Sequence, residues 1–292
     1  MFEGFTSHTV PVGNGVEIAA SVGGSGPPVL LLHGFPETRA CWRHVATPLA
    51  QKFTVVAADL RGYGESSKPP GGTDHAAYAK RAMAVDQVTL MRELGFPRFR
   101  LVGHDRGGRV AHRLALDHAR CVERLALLDI CPTATMYAAT NQAFATAYYH
   151  WFFLIQPADL PERMIAGDVD HFMRRTLASW ARSETVFDEA ILRHYIDAFS
   201  DPAAIHAACE DYRASAVIDL THDAESDAAG QKLTMPLLAL WGGRGIVGRT
   251  FDVLATWRKK SASTVTGHAL DCGHFLPEEA PEDTLKALLD FL

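Results

Sequence analysis

No apolar run in this 292-residue chain is long enough to span a bilayer, which excludes a helical membrane segment, and no membrane partner is expected. Cysteine is sparse and odd in number. Cys41, Cys121, Cys131, Cys209 and Cys272 form no C-x-x-C pair, and such an odd, scattered set fits reduced thiols in a cytoplasm better than a disulfide framework. Met1-Phe2-Glu3-Gly4-Phe5 carries neither a basic start nor a long apolar stretch, and no secretory signal is expected there. Positive charge is not in surplus. The 28 Lys and Arg face 34 Asp and Glu, a formal net charge of -6, which argues against a nucleic-acid partner. There is no H-E-x-x-H and no close set of carboxylates and histidines, so no metal is expected. No repeat or low-complexity tract occurs. What remains is 48% hydrophobic and 21% charged, the make-up of a globular enzyme long enough for a core plus an insertion.

Short continuous apolar runs mark buried central strands: Val29 to Leu32, Phe53 to Ala58, Phe99 to Val102, Val122 to Leu128 and Met235 to Trp241. Val10 to Val22 reads as two strands around Gly13-Asn14-Gly15. Helical patterns over Ala77–Leu94, Gly108–His118 and Glu282–Leu292 alternate with the strands. The pattern predicts an α/β chain with a mostly parallel central sheet and helices on both faces. From about Thr133 to Ala229 the chain changes character. It is rich in aromatics and reads as helices over Thr140–Phe153, Pro161–Ala166, Asp168–Ser179, Asp188–Ser200 and Pro202–Ser215, with no convincing strand. The expected organisation is a core over 1–132, a helical cap over 133–229 and the rest of the core over 230–292. The cap would lie over the strand ends, where such sheets bind ligands.

Chemistry concentrates at Gly103-His104-Asp105-Arg106-Gly107, between a strand and a helix. This is the nucleophile-elbow pattern G-x-S-x-G of α/β-hydrolases with aspartate in the serine position. A carboxylate attacking acyl carbon makes an anhydride, a poor intermediate. The same carboxylate attacking alkyl carbon makes an ester that water can cleave. Asp105 alone would read as a helix N-cap; in this setting it is the candidate nucleophile for displacing a leaving group from sp³ carbon. His274, in Asp271-Cys272-Gly273-His274-Phe275, is the candidate base that draws a proton from water as a neutral imidazole. Its orienting acid is not in the loop after the late strand, Trp241-Gly242-Gly243-Arg244-Gly245, where a Trp-Gly-x-x-Asp pattern would put it. Asp129, ending the strand after the elbow helix, is the available substitute. His33-Gly34-Phe35-Pro36 follows the first core strand, and the backbone N–H groups of Phe35 and Arg106 are the candidate oxyanion hole.

Arg106 and Arg109 lie three apart on the elbow helix and can share a face. A guanidinium beside a nucleophilic carboxylate is costly unless a substrate uses it. Two carboxylates about 4 Å apart repel by about 4 kcal/mol at an effective dielectric of 20. Two arginines reverse that sign for an anionic substrate, and Arg106 would hold Asp105 ionised.

On the strength of Asp105-Arg106-Gly107-Gly108-Arg109, the His-Gly-Phe-Pro turn and the Gly-His-Phe-Leu-Pro loop, the chain resembles the fluoroacetate dehalogenases of the α/β-hydrolase superfamily over nearly its whole length. Haloalkane dehalogenases and epoxide hydrolases usually carry tryptophan after the aspartate. The resemblance implies that Arg106 and Arg109 grip a substrate carboxylate and that Asp129 orients His274. It also implies that His150, Trp151 and Tyr212 hold the departing halide, that no cofactor is needed and that the protein is a cytoplasmic homodimer. The implied reaction converts a small 2-halo acid, a haloacetate, to the 2-hydroxy acid and halide ion. N–H and O–H donors aimed at fluoride would act as its charge develops.

Gly243-Arg244-Gly245-Ile246-Val247-Gly248 spells a dinucleotide fingerprint, but its spaced acid, Asp271, abuts the histidine loop, and cofactor binding is not expected there. Two rivals stay open. An epoxide hydrolase would use Asp105 with ring-opening acids from Tyr148, Tyr149 and Tyr195. A non-catalytic ligand receptor on the same scaffold would not need the full catalytic set.

Overall fold

The computed structural model describes residues 2–183 and 185–292. Its strands are β1 (Thr6–Gly13), β2 (Val16–Gly23), β3 (Pro28–Leu32), β4 (Thr54–Ala58), β5 (Phe99–His104), β6 (Val122–Leu128), β7 (Leu237–Gly242) and β8 (Val265–Leu270). They form one sheet in the order β1-β2-β4-β3-β5-β6-β7-β8. β1 with β2 and β2 with β4 are antiparallel, and the remaining pairs are parallel. The central strands are apolar throughout because both faces are covered. Leu30, Leu32, Val56 and Leu101 face one core, and Val29, Leu31, Val55 and Val102 face the other, the period-2 alternation of a pleated strand.

The helices are α1 (Ala46–Leu49), α2 (Lys80–Glu93), α3 (Asp105–Asp117), α4 (Thr133–Ala138), α5 (Gln142–Ala147), α6 (Tyr149–Phe153), α7 (Leu160–Ala166), α8 (Val169–Trp180), α9 (Glu189–Phe199), α10 (Pro202–Ala216), α11 (Ile218–Ala228), α12 (Ile246–Thr250), α13 (Val253–Lys260), α14 (Leu276–Glu279) and α15 (Pro281–Phe291). Met83 and Leu90 of α2 and Val110 and Leu114 of α3 fill the first core; Leu49 of α1 and Leu288 of α15 fill the second. Helices α4 to α11 all fall between β6 and β7. Asp168, Asp188 and Asp201 start three of them, each side chain accepting a main-chain N–H of the first turn.

Several elements differ from the sequence reading. β8 was not expected as a strand: it is an edge strand with Thr266, His268 and Ala269 exposed, so no apolar run marks it. α4 and α11 were not expected either. The 77–94 helix is interrupted at Ala79, whose ψ of 141° is extended and separates a short 3₁₀ turn from α2. The 140–153 helix breaks at Tyr148, where ψ is 36°.

The parallel strands deliver His33, Asp59, Asp105, Asp129 and the 271–275 loop to the carboxyl ends of the strands. The chain runs from β3 outward to β4 on one side, then returns to β5 on the other. Asp105 and Phe35 therefore sit where strand order reverses, the place where open α/β sheets form a crevice.

Candidate active site

Asp105 opens α3 with φ of 45°, a left-handed conformation that a non-glycine residue adopts only under constraint. The constraint is close packing. A Cβ on Gly34 would fall 2.5 Å from Cβ of Asp105, and one on Gly107 would collide with the carbonyls of Leu32 and His33. The Phe35 N–H donates to Asp105 Oδ1 at 3.0 Å, and the Gly107 N–H donates to the His33 carbonyl at 2.8 Å. Oδ2 of Asp105 faces His274 Nε2 at 3.8 Å.

His274 is held from three sides. Its main-chain N–H donates to the Trp180 carbonyl at 3.1 Å, its carbonyl accepts from His104 Nε2 at 2.8 Å, and its Nδ1 lies 2.6 Å from Asp129 Oδ2. Oδ1 of Asp129 accepts the Gly242 N–H at 2.9 Å, so both carboxylate oxygens are fixed. Asp129 also has positive φ, 52°. Burial would lower the His274 pKa, but the hydrogen bond and charge of Asp129, with the charge of Asp105, push it up to about 9. With Asp105 held low and His274 raised, the two groups favour opposite charges before any substrate binds. Burial alone would raise Asp105, but His274, Arg109 and Arg106 together hold it below the ordinary carboxylate value.

Arg106 is wholly buried. Its Nε and Nη2 donate to the two Asp211 carboxylate oxygens at 2.9 and 2.8 Å, and Nη2 also reaches the Asp211 carbonyl and Ser215 Oγ. Its Nη1 has no protein acceptor. Arg109 Nη1 donates to Thr133 Oγ1 at 2.9 Å and to the Cys131 carbonyl at 3.3 Å, while its Nε has no acceptor. The guanidinium carbon of Arg106 sits 4.1 Å from the Tyr212 ring centroid, and that of Arg109 sits 4.7 Å from the Trp151 ring.

His150, Trp151 and Tyr212 are buried, and His150 Nδ1, Trp151 Nε1 and Tyr212 Oη also have no protein partner. The His150 and Tyr212 rings are 5.6 Å apart, and each packs against Phe35. Burial lowers His150 to about 3, so it is neutral. Burial, with Asp105 close by, raises Tyr212 well above its ordinary value, so its O–H stays protonated. Five buried side-chain nitrogen and oxygen atoms of these residues therefore have no partner in the protein. Each such group costs about 1–3 kcal/mol unless an acceptor meets it.

A cavity of about 310 Å³ reaches Asp105, His274 and His150, and is lined further out by Tyr148, Trp180 and Arg249. Arg106, Arg109, Trp151 and Tyr212 are buried and are not among the residues that line it. Of the three tyrosines singled out for ring opening, Tyr148 and Tyr149 line the cavity. Tyr195 does not: its O–H donates to Glu278 at 2.6 Å. Gly245 of the glycine-rich segment lines the same cavity, and Asp271 there pairs with Arg244 and Arg182. Among the described residues, no group of three or more His, Cys, Asp or Glu could hold a metal ion, and no helix is long and apolar enough to cross a membrane.

Sequence reasoning missed three features. Trp180 packs its ring 4.3 Å from His150 and 5.6 Å from His274. Asp211 anchors Arg106. The Glu37 carboxylate lies 3.3 Å from His104 Nδ1, with the His104 ring 4.7 Å from that of His274. Asp211 adjoins Tyr212 in the sequence, which was the one signal available for it. Trp180 and Glu37 carry none.

A family model described as alpha/beta hydrolase fold matches residues 27–281. The chain is 48% identical to a fluoroacetate dehalogenase of Burkholderia sp, over 100% of this chain and 95% of that protein. It is 36% identical to a soluble epoxide hydrolase of Corynebacterium sp. (strain C12), over 95% and 94%. An α/β hydrolase crystal structure from Nostoc sp PCC 7120 superposes with a TM-score of 0.97 at 53% identity, covering 100% of this chain and 99% of that one.

Proposed function

The chain belongs to the α/β-hydrolase superfamily, on its haloacetate dehalogenase branch, and from that premise we propose that it converts haloacetates to the 2-hydroxy acid and halide through an ester on Asp105. One observation carries the proposal: five buried side-chain nitrogen and oxygen atoms without protein partners, two of them on the elbow arginines, accompany a carboxylate poised for attack. A haloacetate brings a carboxylate for Arg106 and Arg109 and a leaving halide for His150, Trp151 and Tyr212.

The attacking atom is Asp105 Oδ2, since Oδ1 is engaged by Phe35. Oδ2 bonds to the carbon next to the substrate carboxylate. The carbon–halogen bond breaks, and halide leaves with the electron pair, with inversion at a stereogenic carbon. Three neutral donors stabilise the charge appearing on halogen, and they act most strongly in the transition state.

Ester formation then switches His274. The negative charge on Asp105 is gone, so one of the causes that held His274 protonated is removed. His274 releases its proton through the cavity and becomes the base for water. Water attacks the Asp105 carboxyl carbon, and His274 takes its proton. The oxyanion forms at Oδ1, in reach of the Phe35 N–H and beside the Arg106 N–H. Collapse expels the alkoxide, which takes a proton from His274 and leaves Asp105 as the neutral acid; that proton then passes to His274, which restores the ionised pair. In this reading residues 133–229 act as a cap, supplying every proposed halide donor and Trp180.

The epoxide hydrolase reading has one observation in its favour: Tyr148 lines the cavity beside His150. A buried arginine pair has no task on a neutral epoxide, which weighs against it. Halide release from fluoro-, chloro- and bromoacetate, measured beside hydrolysis of styrene oxide, tests the choice. Turnover of the haloacetates with little or none of the epoxide supports the proposal, and the reverse pattern rejects it.

A further inference from the structure

The two arginines beside Asp105 differ in their counter-charges. Arg106 donates to both oxygens of Asp211, and Lys80 bonds the same carboxylate from the far side. Lys80 Nζ is also 3.5 Å from Asp219 Oδ2, and Ser215 links Arg106 to Asp219. This buried cluster holds two cations and two anions. Tyr63 completes it, donating to Asp211 at 2.8 Å. Arg109 has none of this. Its partners are a carbonyl, a hydroxyl and the Met136 sulfur at 3.2 Å, and among the described residues no carboxylate lies within 4.0 Å of it.

We propose that Arg109, the arginine with no carboxylate bonded to it, supplies the charge that selects an anionic substrate, while Arg106, neutralised by Asp211, is an orienting donor that offers the substrate one N–H. Asp211 is then a positioning residue. It occupies two faces of the Arg106 fork and leaves Nη1 as the remaining donor. Because Asp211 and Tyr212 are adjacent on α10, the same helix turn fixes the carboxylate donor and a halide donor relative to each other. The inference rests on the haloacetate reading above and refines how that substrate class is recognised.

The experiment compares chloroacetate with chloroacetamide, a neutral analogue of nearly the same shape, by chloride release from the purified full chain. The readout is the ratio of the two kcat/KM values. Arg109→Gln is expected to lower that ratio on the order of 100-fold, because a charge-assisted contact is lost for the anion alone. Arg109→Lys, which keeps the charge but loses the fork, is expected to keep the ratio within about tenfold while kcat falls for both substrates. Arg106→Gln alone leaves Asp211 under-compensated and should disfavour the anion. Adding Asp211→Asn restores neutrality and should return the ratio toward wild type, although kcat stays low.

A double variant that loses discrimination as fully as Arg109→Gln would overturn the inference, as would an Arg109→Gln protein that keeps the wild-type ratio. If Arg106→Gln/Asp211→Asn does not fold, the Arg109 pair still decides, since its side chain leaves only neutral partners behind. A wild-type protein that releases chloride from neither compound would overturn the haloacetate reading and the inference with it. Wild-type activity with an unchanged ratio in Arg109→Gln would overturn the inference alone.

Discussion

Asp129 Oδ2 lies 2.6 Å from His274 Nδ1, although 145 residues separate the two in the chain. The pair places the orienting acid after β6. A Cβ on Gly245, after β7, would fall 3.6 Å from that same Asp129 oxygen. Two strand ends thus give access to one histidine.

That proximity makes a rescue experiment possible. Asp129→Asn should slow ester hydrolysis on the order of 10³- to 10⁴-fold by leaving His274 in the wrong tautomer. Gly245→Asp in that background should restore at least tenfold of the loss. Position 245 has ordinary φ, -73°, and is the N-cap of α12, where aspartate is favoured. Accumulation of the alkyl-enzyme by mass spectrometry checks both. A double variant no faster than Asp129→Asn would show that a carboxylate from β7 cannot reach the ring.

The halide donors should matter according to the leaving group. Tyr212→Phe removes a buried donor with little change of shape; Trp151→Phe removes one too, but also leaves space where the larger indole packed. Fluoride concentrates its developing charge most, so defluorination should fall 10- to 100-fold while debromination falls only a few-fold. Halide-electrode rates on fluoroacetate and bromoacetate give the comparison. Equal losses on both would point to packing instead.

The titration of His274 carries its own prediction. Its pKa of about 9 is raised from the ordinary 6.5. A raised base stabilises the fold fully below about pH 6.5, and that contribution fades as pH rises toward 9. An NMR titration should find the imidazole near 9 in the free enzyme and lower in Asp105→Asn, which mimics the ester in charge. Because Asp105 is held below its ordinary value, alkylation should persist to acid pH, and the acid limb of kcat should report His274 in the ester. An unshifted imidazole in Asp105→Asn would refute the proposed switch.

The elbow glycine predicts a stability effect. Gly107→Ala would press a methyl group into the backbone carbonyls of Leu32 and His33, which cannot yield as a flexible side chain can. Thermal or denaturant unfolding should show a loss of about 2 kcal/mol or more. A loss under about 0.5 kcal/mol would mean the β3 turn can shift.

Much of this was legible in the sequence because it is local. The elbow, the His-Gly-Phe-Pro turn and Asp129 each sit at a strand end, and strand ends are marked by apolar runs. The buried central strands β3, β4 and β6 announced themselves for the same reason. The histidine loop was legible too, although β8 before it was not. As an edge strand with three exposed positions, β8 has no pattern to read. The Arg106–Asp211 contact spans 105 residues and the Lys80–Asp211 contact 131, and no spacing rule connects such positions. The raised pKa of His274 was out of reach as well, since it depends on how closely the folded chain sets Asp129 and Asp105 against the ring.

A single turnover in oxygen-18 water tests the central claim most directly. With enzyme in excess over chloroacetate, the new hydroxyl oxygen of the product should be unlabelled and the label should appear in Asp105, found by mass spectrometry of the peptide that contains it. Label in the product hydroxyl, with none in Asp105, would mean that water attacks the carbon itself and that no ester forms.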